Sequence, residues 1–156
     1  MKAAGLTAVV ILVLDLLTKH LALERLPPGR PVHVIDGFFS LTLVMNPGLA
    51  FGMLAGTPAG WRWLVALLSI GALTVLAFVG LRMLPTGGRF TPLALGLIFG
   101  GAVGNLIDRV AHGAVTDFIK LPGWPAFNVA DISITFGVLV LLYVTERPRH
   151  AAASDA

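Results

Sequence analysis

The chain has 156 residues, 56% hydrophobic and only 12% charged, with a formal net charge of +3. Soluble domains carry about 25% charged residues, so this composition and a mean hydropathy of +0.89 exclude an ordinary soluble domain and indicate a membrane protein. The lack of cysteine excludes disulfides, thiol nucleophiles and thiolate metal sites, and a small positive excess without interleaved aromatic and basic residues gives nucleic acid no support as a partner.

A spanning helix needs about 20 mainly apolar residues. The first such segment is 3–23. Lys2 gives it a basic start, but Asp15 and Lys19 interrupt the apolar run and no small-x-small cleavage site closes it, so it reads as a retained span and not a signal peptide. The connection 24–60 follows. Pro27, Pro28 and Gly29 mark a turn. The β-branched and aromatic residues after them, in patchy alternation, predict a small β element over 31–56. The second span is expected over 61–84 and the third over 91–110, joined by a short turn flanked by Arg82 and Arg89. A connection over 111–129 leads to a short fourth span over 130–144. The expected fold is an all-α membrane protein: four transmembrane helices in a single domain over 1–150, an outer β element, and a disordered tail over 151–156.

Basic residues mark the cytoplasmic ends of spans. Lys2, the Arg82–Arg89 turn, and Arg147 with Arg149 must share one side of a four-span chain. Both termini are therefore expected in the cytoplasm, and connections 24–60 and 111–129 outside.

That orientation places the polar residues at one height. Asp15 and Lys19 lie four apart near the outer end of span one. Asn105, Asp108 and Arg109 lie in the last turns of span three, at i, i+3 and i+4. Asn128 and Asp131 open span four, Asp117 lies in one outer connection, and the stretch from Met45 to Gly52 lies in the other. A charge at a helix centre costs about 2.5–3.5 kcal/mol on insertion scales, so such a gathering needs a reason. Several pieces also have plain structural readings. Asp15 with Lys19 reads equally as an interfacial ion pair. Asn128 reads as an N-cap, with Asp131 favoured by the helix dipole. Asp108 reads as a structural partner that Arg109 keeps ionised. Gly100 and Gly101 read as close-contact residues between helices. The four histidines have no metal-ligand spacing. A proton-coupled transporter would need charges at the midplane, and the middles of spans two and three are almost purely apolar.

Two carboxylates brought together cannot both ionise easily, so one takes a proton and the pair holds a base beside an acid. Such a pair can hydrolyse a peptide without metal, serine or cysteine. Asp117 and Asp131, one before and one opening the last span, fit this best, with Asp108 a weaker candidate. Spacing alone does not bring them into contact.

The motifs "DLLTK" at 15–19, "NPGLAFG" at 46–52, "GGAVGNLIDRVAHGAVTDFI" at 100–119 and "FNVADISI" at 127–134 follow one another at four-span spacing. The chain resembles the lipoprotein signal peptidases, or signal peptidase II, over nearly its whole length. One departure is Leu16, where the family often has Gln. The resemblance implies an aspartic endopeptidase of the bacterial inner membrane with Asp117 and Asp131 as its catalytic dyad. It implies Asn46, Gly48, Asn105, Arg109 and Asn128 around the substrate, with Asp15, Lys19 and Asp108 as supports. The implied substrate is a prolipoprotein cut just before a cysteine that carries diacylglycerol, at the outer membrane face. No metal and no cofactor are implied. The remaining expected partner is membrane lipid, and the expected state is a monomer.

Overall fold

The computed structural model describes residues 2–48, 62–84 and 88–146. Among them lie four helices and three strands: α1 (Lys2–Arg25), β1 (Val32–Ile35), β2 (Phe39–Asn46), α2 (Arg62–Met83), α3 (Thr91–His112), β3 (Val115–Lys120) and α4 (Val129–Glu146). The expected start of span two at position 61, the stretch 49–56 of the expected β element and the tail 151–156 lie outside the described residues. Three helices, α1, α2 and α3, are long and apolar enough to cross a membrane, whereas α4 is a shorter apolar helix of 18 residues. Their outward faces carry exposed Leu, Val and Phe side chains, such as Leu6, Val13, Leu67, Phe78 and Leu139. That is the surface a helix presents to lipid.

Helix α3 is the hub of the bundle. Helices α1 and α4 pack along it extensively and α2 less so. Glycine makes this closeness possible. A Cβ on Gly100 would stand 2.6 Å from the Ala8 carbonyl oxygen of α1, and one on Gly137 would stand 2.8 Å from the Ala94 carbonyl oxygen of α3. A Cβ on Gly101 would run into the Ser133 hydroxyl, and one on Gly104 into the Asp15 carboxylate. Backbones that touch in this way gain dispersion contacts and leave room for interhelical hydrogen bonds. Helix α3 ends at Gly113, whose left-handed φ of 72° lets its N–H close back on the Arg109 carbonyl.

The strands form one antiparallel sheet in the order β1-β2-β3. The first two strands make a hairpin, with Val32 opposite Leu41. The third strand is an addition to the expected layout, which treated 111–129 only as a connection. Val115, Thr116, Phe118 and Ile119 have the β-branched and aromatic character that suits a half-buried pleat, and β2 supplies the partner. Asn46 pairs with Val115, Met45 with Thr116 and Val44 with Asp117. The sheet therefore joins the two connections, and β3 is buried from Val115 to Phe118 where it packs against α3 and α1.

Candidate active site

Five elements bring polar side chains to one end of the bundle. Asp117 comes from β3, Asn46 from the end of β2, Asn105, Asp108 and Arg109 from the last turns of α3, and Asn128 and Asp131 from the start of α4. Asp15 and Lys19 come from α1. Asp15, Lys19, Asn46, Gly48, Asn105, Asp108, Arg109, Asp117, Asn128 and Asp131 thus belong to one connected cluster.

Asn128 is its centre and is fully buried. It caps α4 through a reciprocal pair: the Asp131 N–H donates to Asn128 Oδ1 at 3.0 Å, and the Asn128 N–H donates to Asp131 Oδ2 at 3.3 Å. This is a capping box, with Asp in place of the usual Glu. Because a backbone N–H can only donate, the cap fixes which end of the Asn128 amide is oxygen. Its Nδ2 then donates to Asp117 Oδ1 at 2.7 Å and to Asn105 Oδ1 at 3.1 Å.

The other two amides are oriented by the same logic. The Gly48 N–H donates to Asn46 Oδ1 at 3.0 Å, so Asn46 Nδ2 donates to Asp117 Oδ2 at 3.0 Å. Lys19 Nζ donates to Asn105 Oδ1 at 2.8 Å, so Asn105 Nδ2 donates to Asp131 Oδ1 at 2.9 Å. All four carboxylate oxygens of Asp117 and Asp131 therefore face N–H donors.

Asp117 is 2% exposed. Burial pushes its carboxyl up to about 6, the Asp131 charge pushes the same way, and the donors from Asn46 and Asn128 pull against them.

Around this core lies a second, fully buried layer. Lys19 sits 2.7 Å from Asp15 Oδ2 and 3.2 Å from Asp108 Oδ2. Asp15 Oδ1 accepts from the Ala130 N–H at 2.9 Å, and Asp108 Oδ2 accepts from the Thr116 N–H at 2.8 Å. The expected pairing of Asp108 with Arg109 is corrected here. Adjacent residues on a helix do not face each other, so Asp108 turns to Lys19 and β3. Arg109 instead donates to the Gly48 carbonyl at 3.2 Å, steadying the chain after Asn46. Its Nε is buried and has no partner among the described residues. Sequence reasoning missed the two backbone donors, Thr116 and Ala130. Their one signal was position, each standing immediately before an aspartate of interest. Among the described residues no group of three or more acids or histidines is placed to hold a metal ion.

Apolar helices of spanning length, with carboxylates gathered and buried where the helices meet a small sheet, define a membrane-embedded protein built around acid groups. Comparison with known proteins makes this specific. The model of the family described as signal peptidase (SPase) II matches residues 7–146. A lipoprotein signal peptidase of Rhodococcus jostii (strain RHA1) is 42% identical over 142 residues, covering 87% of this chain and 68% of that protein. One from Gloeobacter violaceus (strain ATCC 29082 / PCC 7421) is 43% identical over 153 residues, covering 97% and 86%. A bacterial membrane enzyme solved by the in meso method at 2.3 Å superposes with a TM-score of 0.74 at 28% identity, covering 99% of this chain and 96% of that one. The chain belongs to the signal peptidase II family and is an aspartic-type signal peptidase.

Proposed function

We propose that this chain is an intramembrane endopeptidase that removes the signal peptide from diacylglyceryl-modified prolipoproteins, cleaving just before the lipidated cysteine. In this reading Asp117 and Asp131 are its acid–base dyad. The observation that carries it is Asn128, which binds Asp117 through its side chain and Asp131 through its backbone.

Asp131 acts as the ionised base and Asp117 as the acid. The carboxylate of Asp131 takes a proton from water as the water oxygen bonds to the scissile carbonyl carbon, and Asp117 gives its proton to the carbonyl oxygen. In the collapse, the proton on Asp131 passes to the amide nitrogen, the C–N bond breaks, and one hydroxyl proton of the diol returns to Asp117. The products are a carboxylic acid on the signal peptide and a free amine on the cysteine. The raised carboxyl of Asp117 supports this division of roles, since a group held near 6 gives up its proton less readily than an ordinary aspartate. Asn46, Gly48, Asn105, Arg109 and Asn128 line the substrate. The Arg109 guanidinium, which already donates to the Gly48 carbonyl, suits a backbone carbonyl of the extended peptide, which would otherwise be unsatisfied beside lipid.

In this reading all four helices span the bacterial inner membrane as a monomer, both termini lie in the cytoplasm and the site opens at the periplasmic boundary. A signal peptide is itself a membrane helix, and its scissile bond reaches that height. The decisive experiment is cleavage of a diacylated pro-peptide beside its unlipidated twin by purified enzyme, with Asp117→Asn and Asp131→Asn in parallel. Each variant is expected to remain folded and to lose about 10²–10⁴ in rate, the usual worth of a general acid or base. Full turnover by both variants, or equal cleavage of both peptides, overturns the reading.

A further inference from the structure

Besides the two acids of the proposed dyad, the cluster buries a second pair of carboxylates that hydrolysis does not use. Asp15 accepts from the Ala130 N–H and Asp108 from the Thr116 N–H. Ala130 immediately precedes Asp131, and Thr116 immediately precedes Asp117. Each accessory carboxylate therefore holds the backbone beside one acid of the dyad, on α4 in the first case and on β3 in the second.

A single ammonium joins these two holds. Lys19 is 2% exposed and has three N–H donors facing three acceptors: Asp15 Oδ2 at 2.7 Å, Asp108 Oδ2 at 3.2 Å and Asn105 Oδ1 at 2.8 Å. The third contact matters separately, because Asn105 passes the polarity on by donating to Asp131.

We propose that Lys19 is a positioning residue of this enzyme. It sets the spacing of the two acids through the Asp15 and Asp108 carboxylates, and it turns the Asn105 amide so that Asp131 meets a donor. A simple bundle-locking role accounts for the cluster less well. Buried ion pairs often contribute little net stability compared with apolar residues of similar volume, and a lock would not need its ends placed on the residues flanking both acids. Reaction geometry does need such control, since a displacement of about 1 Å can cost a hundredfold in rate.

The inference rests on the dyad reading, and one experiment separates the two. Wild type, Lys19→Met, the triple variant Asp15→Asn/Lys19→Met/Asp108→Asn, and Asp117→Asn are purified in full length. Each is assayed on a diacylated pro-peptide, with thermal melting measured alongside. Lys19→Met leaves buried Asp15 without its ion-pair partner and Asp108 with only His112, 3.5 Å away, and is expected to melt lower, with kcat reduced roughly tenfold or more and KM changed far less. The triple variant leaves no charge unpaired, and its asparagine oxygens still accept from Ala130 and Thr116. Its melting is expected to recover towards wild type while kcat stays roughly tenfold or more down. Wild-type kcat in the triple variant, a loss confined to KM, or failure of both Lys19 variants to fold would overturn the inference. Full turnover by Asp117→Asn would instead remove the dyad reading beneath it.

Discussion

Asn128 donates to Asp117 at 2.7 Å through the same side chain whose oxygen caps α4 by accepting the Asp131 N–H at 3.0 Å. One residue thus ends a strand-to-helix connection and aligns two acids. Its structural and chemical duties can be separated. Ser caps helices about as well as Asn but has no amide to offer Asp117. Asn128→Ser is expected to melt close to wild type and to lose about ten- to a hundredfold in rate, because Asp117 loses the amide that positions it and a displacement of about 1 Å costs up to a hundredfold. Asn128→Ala should lose the same rate and about 1 kcal/mol of stability besides. Thermal melting and steady-state cleavage of the two variants check both halves.

The pH dependence follows from Asp117. If it is the acid, the free enzyme works only while Asp117 is protonated, so kcat/KM is expected to fall as pH rises through about 6. The apparent value belongs to the coupled pair. Asn46 stabilises the ionised form by donating to it. Its removal in Asn46→Ala makes ionisation harder, and the falling limb should move to higher pH. A kcat/KM profile of the two enzymes over pH 4 to 9 decides; a limb that moves down or stays fixed counts against the assignment.

Close helix contact is testable at single glycines. Gly100→Ala places a methyl group 2.6 Å from the Ala8 backbone carbonyl, which cannot swing aside. Overpacking of this kind costs about 1–3 kcal/mol, so melting should fall. Gly104→Ala drives into the Asp15 carboxylate and should lower both melting and turnover. Gly5→Ala, where nothing lies within 4 Å, should leave both unchanged.

Topology can be read chemically because the chain has no cysteine of its own. Arg30 and Arg89 are both exposed, and the proposed orientation puts them on opposite sides of the membrane. A membrane-impermeant maleimide on cells with the outer membrane opened is expected to label Arg30→Cys at once. Arg89→Cys should react only after the inner membrane is breached.

Much of this arrangement was legible in the sequence. The helices could be placed because apolar runs near spanning length are rare outside membranes. The site could be placed because Asp and Lys in such surroundings need partners. The strand β3 was not legible: its six residues occupy a connection, and their partner β2 lies some 71 residues earlier, as the Asn46–Asp117 bond shows. Short strands become identifiable only when something pairs with them. The partner of Asp108 was misread for a related reason. Arg109 is its neighbour in the chain, but a helix turns consecutive side chains about 100° apart, and Lys19 of α1 was nearer in space. The hydrogen-bond polarity of the three asparagines lay beyond sequence altogether, because it depends on backbone N–H groups whose directions only the folded chain defines.

The cluster joins the first helix to the last, with Lys19 meeting Asn105 86 residues later and Asp15 meeting Ala130 115 residues later. During synthesis, α1 is therefore made well before its counterparts in α3 and α4. Its acid–lysine pair has none of its α3 and α4 partners until those helices are made. A nascent chain stalled before α4 has neither Asp131 nor the amide that Asp15 grips. In the dyad reading, such a chain lacks one of the two acids and the hold on the other end of the cluster, so competence comes only with the final helix.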